Sequence, residues 1–120
     1  MPGDYSQFVA AHRERRLLEQ QWAAKSAELA WQAAREAADR LVARLGVSRV
    51  LLFGSLARDA FTAHSDIDLA VEGLTAGMLV DAQAIAEDNC PFSVDVLPLD
   101  AARPEVASTI RREGVVLWPR

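Results

Sequence analysis

Between residue 6 and residue 45 the chain has neither glycine nor proline, and its apolar positions recur at helical spacing. Leu17, Ala24, Ala27, Trp31, Ala34, Ala38, Leu41 and Leu45 step by three, four or seven, which places them on one face of a helix. Leu18, Trp22 and Leu29 widen that face in its N-terminal half. Ala, Glu, Gln, Arg and Leu dominate, all good helix formers. Asp4 or Ser6 is the expected N-cap, and Gly46 the expected stop. A helix of ~40 residues runs to ~60 Å, longer than the breadth of a domain this small. It either breaks near residues 20–26 and folds back, or its first half projects. The alanine-lined second half suits close packing on a sheet. The first half carries Tyr5, Phe8, Leu17, Leu18 and Trp22, more apolar surface than a projecting helix leaves in water, and predicts a docking face for a partner or a second copy.

Beyond Gly46 the period changes. Residues 47–53 read as a strand, and the unbroken apolar run Val50, Leu51, Leu52, Phe53 predicts cover on both faces. Residues 55–61 read as a short helix or turn, and residues 62–65 as a polar loop. Residues 66–72 form a second strand stopped by Gly73. Residues 75–89 are helical, with Thr75 as cap, Met78, Leu79, Ala82, Ile85 and Ala86 on one side, and Pro91 barring continuation. Residues 92–97 make a third strand ended by Pro98. Residues 104–112 make a helix with Pro104 in its first turn and Val106 and Ile110 inward, and residues 115–118 a last strand. The order α-β-α-β-α-β-α-β predicts an α/β fold, a small sheet with packed helices. With 120 residues and no repeat or linker, the expectation is one domain, 1–120, in which 1–45 is a helical extension and 47–118 the core.

Composition narrows the functional classes. A net charge of −4 and a pI near 5.1 argue against a protein that grips nucleic-acid backbone. The lone Cys90 excludes an intramolecular disulfide and fits a reducing compartment; without a Cys or His companion at metal spacing it reads as a packed residue. No segment has the length and apolarity of a signal peptide or membrane span, so a cytoplasmic location is expected.

The candidate chemistry lies between residues 50 and 71. The first strand ends in Gly54-Ser55, and after ten intervening residues comes Asp66-Ile67-Asp68. Acids one residue apart on a strand point to the same side, and paired carboxylates are costly neighbours unless a positive charge sits between them. A hard divalent cation resolves this, and Mg²⁺ held by one or two carboxylates usually shares its shell with substrate phosphates. Glycine allows close backbone approach, and serine adds a hydroxyl, both suited to a phosphate. Asp95, inside the apolar run 92–97, is a third acid; in a strand it needs a partner, faces solvent or pairs with an arginine. Arg58 lies one turn beyond Gly54, within reach of a phosphate or the acids, or simply solvated. Ser65 is a turn residue or a ligand contact, His64 an exposed loop residue and His12 a solvated helix residue.

Gly54-Ser55, Asp66-x-Asp68 and the strand-borne Asp95 together resemble the signature of the DNA polymerase β-type nucleotidyltransferase superfamily, over residues 47–118. The short chain resembles the minimal nucleotidyltransferases (MNT), many of them antitoxins of HEPN/MNT toxin–antitoxin pairs. The resemblance implies a polymerase β-like fold with a mixed sheet of about four strands and a two-metal Mg²⁺ site on Asp66, Asp68 and Asp95. It implies nucleotide contacts from Gly54, Ser55 and Arg58. The implied reaction transfers AMP from ATP to a hydroxyl, tyrosine being the expected one, of a HEPN ribonuclease toxin. The pattern departs at Asp59, where many relatives carry glycine. Two other classes fit the same residues: an antitoxin that binds nucleotide without catalysis, and a small-molecule nucleotidyltransferase of the aminoglycoside type.

Overall fold

A computed structural model describes the backbone of residues 5–120 and the side chains from residue 9 onward. The long helix α1 (Tyr5–Leu45) is continuous for 41 residues, so it does not break near residues 20–26. Asp4 and the side chains of Tyr5 and Phe8 lie outside the described residues, and Ser6 lies within the helix. Every residue from 9 to 22 is exposed, including Leu18 at 65% and Trp22 at 48%. The first half of α1 therefore projects, and the long axis of the molecule reaches 67 Å.

The buried face of α1 starts at Ser26 and continues through Ala30, Ala33, Ala34, Ala37, Ala38 and Leu41. These small side chains allow the helix axis to lie close to the elements beneath it. Ala24, expected on this face, is exposed because the core ends before it. Gly46 stops α1, its N–H bonding Val42 O at 2.9 Å.

The sheet has four strands, β1 (Arg49–Phe53), β2 (Ile67–Glu72), β3 (Val94–Pro98) and β4 (Val115–Trp118), in the order β3-β2-β1-β4. β1 pairs antiparallel with β2 and β4, and β2 pairs parallel with β3, so the sheet is mixed. The parallel pair requires a crossover, supplied by α3 (Leu79–Glu87). Side chains alternate across the pleat and divide the interior into two cores. Val50, Leu52, Ile67, Leu69, Val71, Val94 and Val96 pack under α1 and α3. Leu51 and Ala70 face the other way, against Leu99, Ala107 and Ile110. The last two belong to α4 (Pro104–Glu113).

Three local expectations are corrected by packing. Val106 is 41% exposed; Ala107 takes the inward position beside Ile110 and lets α4 close on Leu51 and Ala70. Thr75 makes no side-chain cap, since a 3-10 turn, Ala76–Met78, intervenes before α3. β3 begins at Val94 rather than residue 92, because the Phe92 ring packs edge-on against Phe61 at 5.7 Å. Arg40 joins the helical layer by donating to Ile85 O and Ala86 O, both at 2.9 Å, at the C-terminal end of α3. Among the described residues no helix is long and apolar enough to cross a membrane.

Candidate active site at the acidic end of the sheet

Strand direction brings the sequence-distant acids together. Because β1 runs against β2 while β3 runs with it, the C-terminal end of β1 meets the N-terminal ends of β2 and β3. In register, Phe53 stands opposite Asp68 and Asp68 opposite Asp95. Pleat parity then sets the face. Asp68 shares a side with Ala70, and Asp95 with Leu97, which is the side covered by α4. That cover ends before the acids, so Asp68 is half-buried and Asp95 exposed. Asp66 lies just before β2 and is exposed.

Gly54 begins α2 (Gly54–Ala57) directly at the end of β1. Its φ of 78° lies in the left-handed region that favours glycine. A methyl group there would run into Asp68 Oδ2, and its carbon would lie 3.0 Å from Asp68 Cγ. The strand-to-helix turn and the carboxylate therefore occupy adjoining space only because residue 54 has no side chain. Ser55 is half-buried, and its carbonyl accepts the Ala60 N–H at 2.8 Å, closing the turn. No side chain caps the start of α2. Asp59 follows at φ 59°. The position that departs from the family pattern is thus one that favours glycine, and aspartate is among the residues that tolerate this conformation.

The electrostatics converge on Asp68. Burial raises its pKa above the ordinary aspartate value, and the charges of Asp95 and Asp66 raise it further, while Arg58 lowers it. The site thus brings together Asp66, Asp68, Asp95 and Arg58 within electrostatic reach, with Gly54 touching the central acid. Arg58 is exposed and lines a hollow of about 300 Å³ with Gly54, Thr109 and Glu113. Among the described residues no three carboxylate, imidazole or thiol groups already converge on one metal position. The side chains of Asp66 and Asp95 are exposed and take part in no hydrogen bond or ion pair among the described residues. The donor set is all oxygen, as a hard divalent cation requires.

The neighbouring polar residues separate clearly. Ser65 is a turn residue: its hydroxyl accepts the Thr62 N–H at 2.9 Å and shapes the loop that delivers Asp66. His64 is exposed, with its N–H on Thr62 Oγ1. Cys90 is partly buried against the core. Two residues escaped the sequence reading. Gln83, on α3, bonds the β3 backbone on both sides of Asp95. Ser26 is 8% exposed at the start of the alanine stripe. Ser26 stands four positions before Ala30, a helical spacing that places it on the buried face.

A groove of about 1070 Å³ runs between the projecting half of α1 and the loop of residues 61–64. Leu18, Trp22 and Phe61 line it, together with Arg15, Arg16 and His64. The loop forming its floor leads straight to Asp66.

Comparison with curated proteins gives no match. A crystal structure of a toxin–antitoxin with AMP-PNP is similar in fold, with a TM-score of 0.62 and 21% identity, covering 72% of this chain and 73% of that one. The family model "Polymerase beta, Nucleotidyltransferase" matches residues 36–120, from the buried half of α1 to the C-terminal residue. With the acids gathered at one end of a mixed sheet and glycine at the turn above them, the chain belongs to the polymerase beta nucleotidyltransferase family.

Proposed function

We propose that this chain is a metal-dependent nucleotidyltransferase of the minimal type, an antitoxin that transfers AMP from ATP to a hydroxyl, tyrosine being expected, of a HEPN ribonuclease toxin. In this reading the chain is one domain, with residues 1–45 a helical extension and 47–118 the catalytic core, acting in the cytoplasm. The observation that carries it is the placement of Asp68, directly against Gly54 and in register with Asp95. A carboxylate with a raised pKa, crowded by two others, is a position a divalent cation would relieve.

Asp66, Asp68 and Asp95 would hold Mg²⁺, in a two-metal arrangement. Bound there, the metal supplies charge stabilisation to the attacking and leaving oxygens of an in-line displacement. The chain's own residues do the rest. Gly54 lets the backbone approach the β and γ phosphates, and the Ser55 hydroxyl donates to them. Arg58 offsets their negative charge. Asp95 takes the proton from the acceptor hydroxyl, whose oxygen bonds the α-phosphorus. The bond from that phosphorus to the α–β bridging oxygen breaks, and pyrophosphate leaves with the electron pair.

Two observations support the partner and the nucleotide. The similar fold was crystallised as a toxin–antitoxin with AMP-PNP, an adenine triphosphate analogue. The exposed apolar side chains of α1 border a groove whose floor continues into Asp66, so a protein docked there would lie beside the acids. The test is incubation with each of the four nucleoside triphosphates labelled at the α-phosphorus, with Mg²⁺ and a HEPN-type toxin. Label from ATP on the toxin is the expected result. Tight ATP binding with no label transferred would leave a nucleotide-binding antitoxin instead, and label on an aminoglycoside alone would move the acceptor to small molecules.

A further inference from the structure

We infer that Gln83 is a positioning residue for Asp95, acting as the missing strand at the free edge of β3. β3 is the outermost strand, so its outward backbone groups have no neighbour in the sheet. Gln83 reaches them from α3. Its amide nitrogen donates to Val94 O, and its amide oxygen accepts the Val96 N–H at 3.1 Å. A primary amide presents a donor and an acceptor side by side, as a peptide group does. The side chain therefore satisfies the two outward groups that flank residue 95. Its nitrogen also donates to Glu87 Oε1, one turn along α3, which fixes the orientation of the amide.

The consequence concerns the carboxylate. Asp95 is exposed, and no hydrogen bond holds its side chain among the described residues. Its position is set by its backbone alone. On one side that backbone is held by β2, through the register of Ile67 with Val94 and Asp68 with Asp95. On the other it is held by Gln83. Unpaired edge strands fray, and a frayed β3 would let Asp95 drift from Asp68. A group that orients a metal-binding carboxylate typically contributes tenfold or more to metal affinity. The inference rests on the metal-binding reading proposed above.

The experiment compares wild type with Gln83→Met, a substitution of similar length that removes both hydrogen-bonding groups. Two readouts are needed. In hydrogen exchange of the wild type, the Val96 amide should be protected although it faces the open edge; exchange at the rate of a free amide would overturn the inference without any variant. In Gln83→Met that protection should fall at least tenfold, while amides of β1 stay protected. In calorimetry with Mn²⁺ alone, the variant should bind about tenfold more weakly than wild type. Equal Mn²⁺ affinity in the two proteins would overturn the positioning role. Failure of the wild type to bind Mn²⁺ would instead overturn the metal reading, which separates the two failures. Should Gln83→Met unfold, Gln83→Leu repeats the comparison and the wild-type exchange measurement still decides.

Discussion

Gly54 and Asp68 lie so close that a Cβ on residue 54 would sit 3.0 Å from the Asp68 carboxyl carbon and closer still to one of its oxygens. Gly54→Ala should therefore do two things. It should cost about 1–2 kcal/mol for a left-handed alanine, read as a lower melting temperature. It should also displace Asp68 and reduce nucleotide transfer at least a hundredfold. Ser55→Ala, which removes one hydroxyl and disturbs no neighbour, should retain the melting temperature and lose less activity.

Asp66→Asn with Asp68→Asn should abolish transfer while the fold persists. Circular dichroism and melting separate this from a structural role. Unfolding of the double variant, or transfer at the wild-type rate, would contradict the assignment.

Asp68 also makes a pH prediction for the metal-free protein. Its folded pKa is raised, by burial first and then by Asp95 and Asp66. The folded state thus binds its proton more tightly than the unfolded chain does. The associated stability is fully present below the ordinary aspartate value and is lost as pH rises through the raised one. Asp68→Asn does not titrate. Its melting temperature should exceed that of the wild type at neutral pH by a degree or more, and the difference should close in acid.

Mg²⁺ should raise the melting temperature of the wild type and leave the double variant unchanged, since a ligand of the native state stabilises it by about 2.7 kcal/mol at a hundred times its dissociation constant. Addition of EDTA should reverse the shift.

Deleting residues 1–21 should leave a folded, MgATP-binding domain, because residues 9–21 are all exposed and the buried face starts at Ser26. The melting temperature should change by a few degrees at most, while binding to the toxin or to a second copy should be lost. A deletion that unfolds the protein, or one that retains its partner, would refute docking on this half of the helix.

Much of this arrangement is legible in the amino-acid sequence. Four strands, a long helix, Gly54 at the end of the first strand and the acid pair at the start of the second follow from periodicity, turn residues and the family pattern, whereas Asp95, expected in the interior of a strand from residue 92, is the second residue of β3. What stayed hidden depended on packing between distant segments. Ala107 rather than Val106 faces inward because a small residue is needed over Leu51 and Ala70, and helical spacing alone fits either. The role of Gln83 requires knowing that β3 is an edge strand, and strand order is absent from local pattern. The continuity of α1 through residues 20–26 is not legible because leucines and a tryptophan in its first half fit a folded-back helix as well as a projecting one.

The parallel pairing of β2 with β3 has a kinetic corollary. Phe53 and Asp68, neighbours across the β1–β2 hairpin, are 15 residues apart in the chain, whereas Asp68 and Asp95 are 27 apart and meet only after the α3 crossover has closed. Such non-local contacts form late. The hairpin can assemble with two acids, but the third arrives with the finished sheet. A cation that needs all three acts only on the completed fold. It should slow unfolding and leave the refolding rate nearly untouched, so that occupancy prolongs the lifetime of the folded protein rather than guiding its birth.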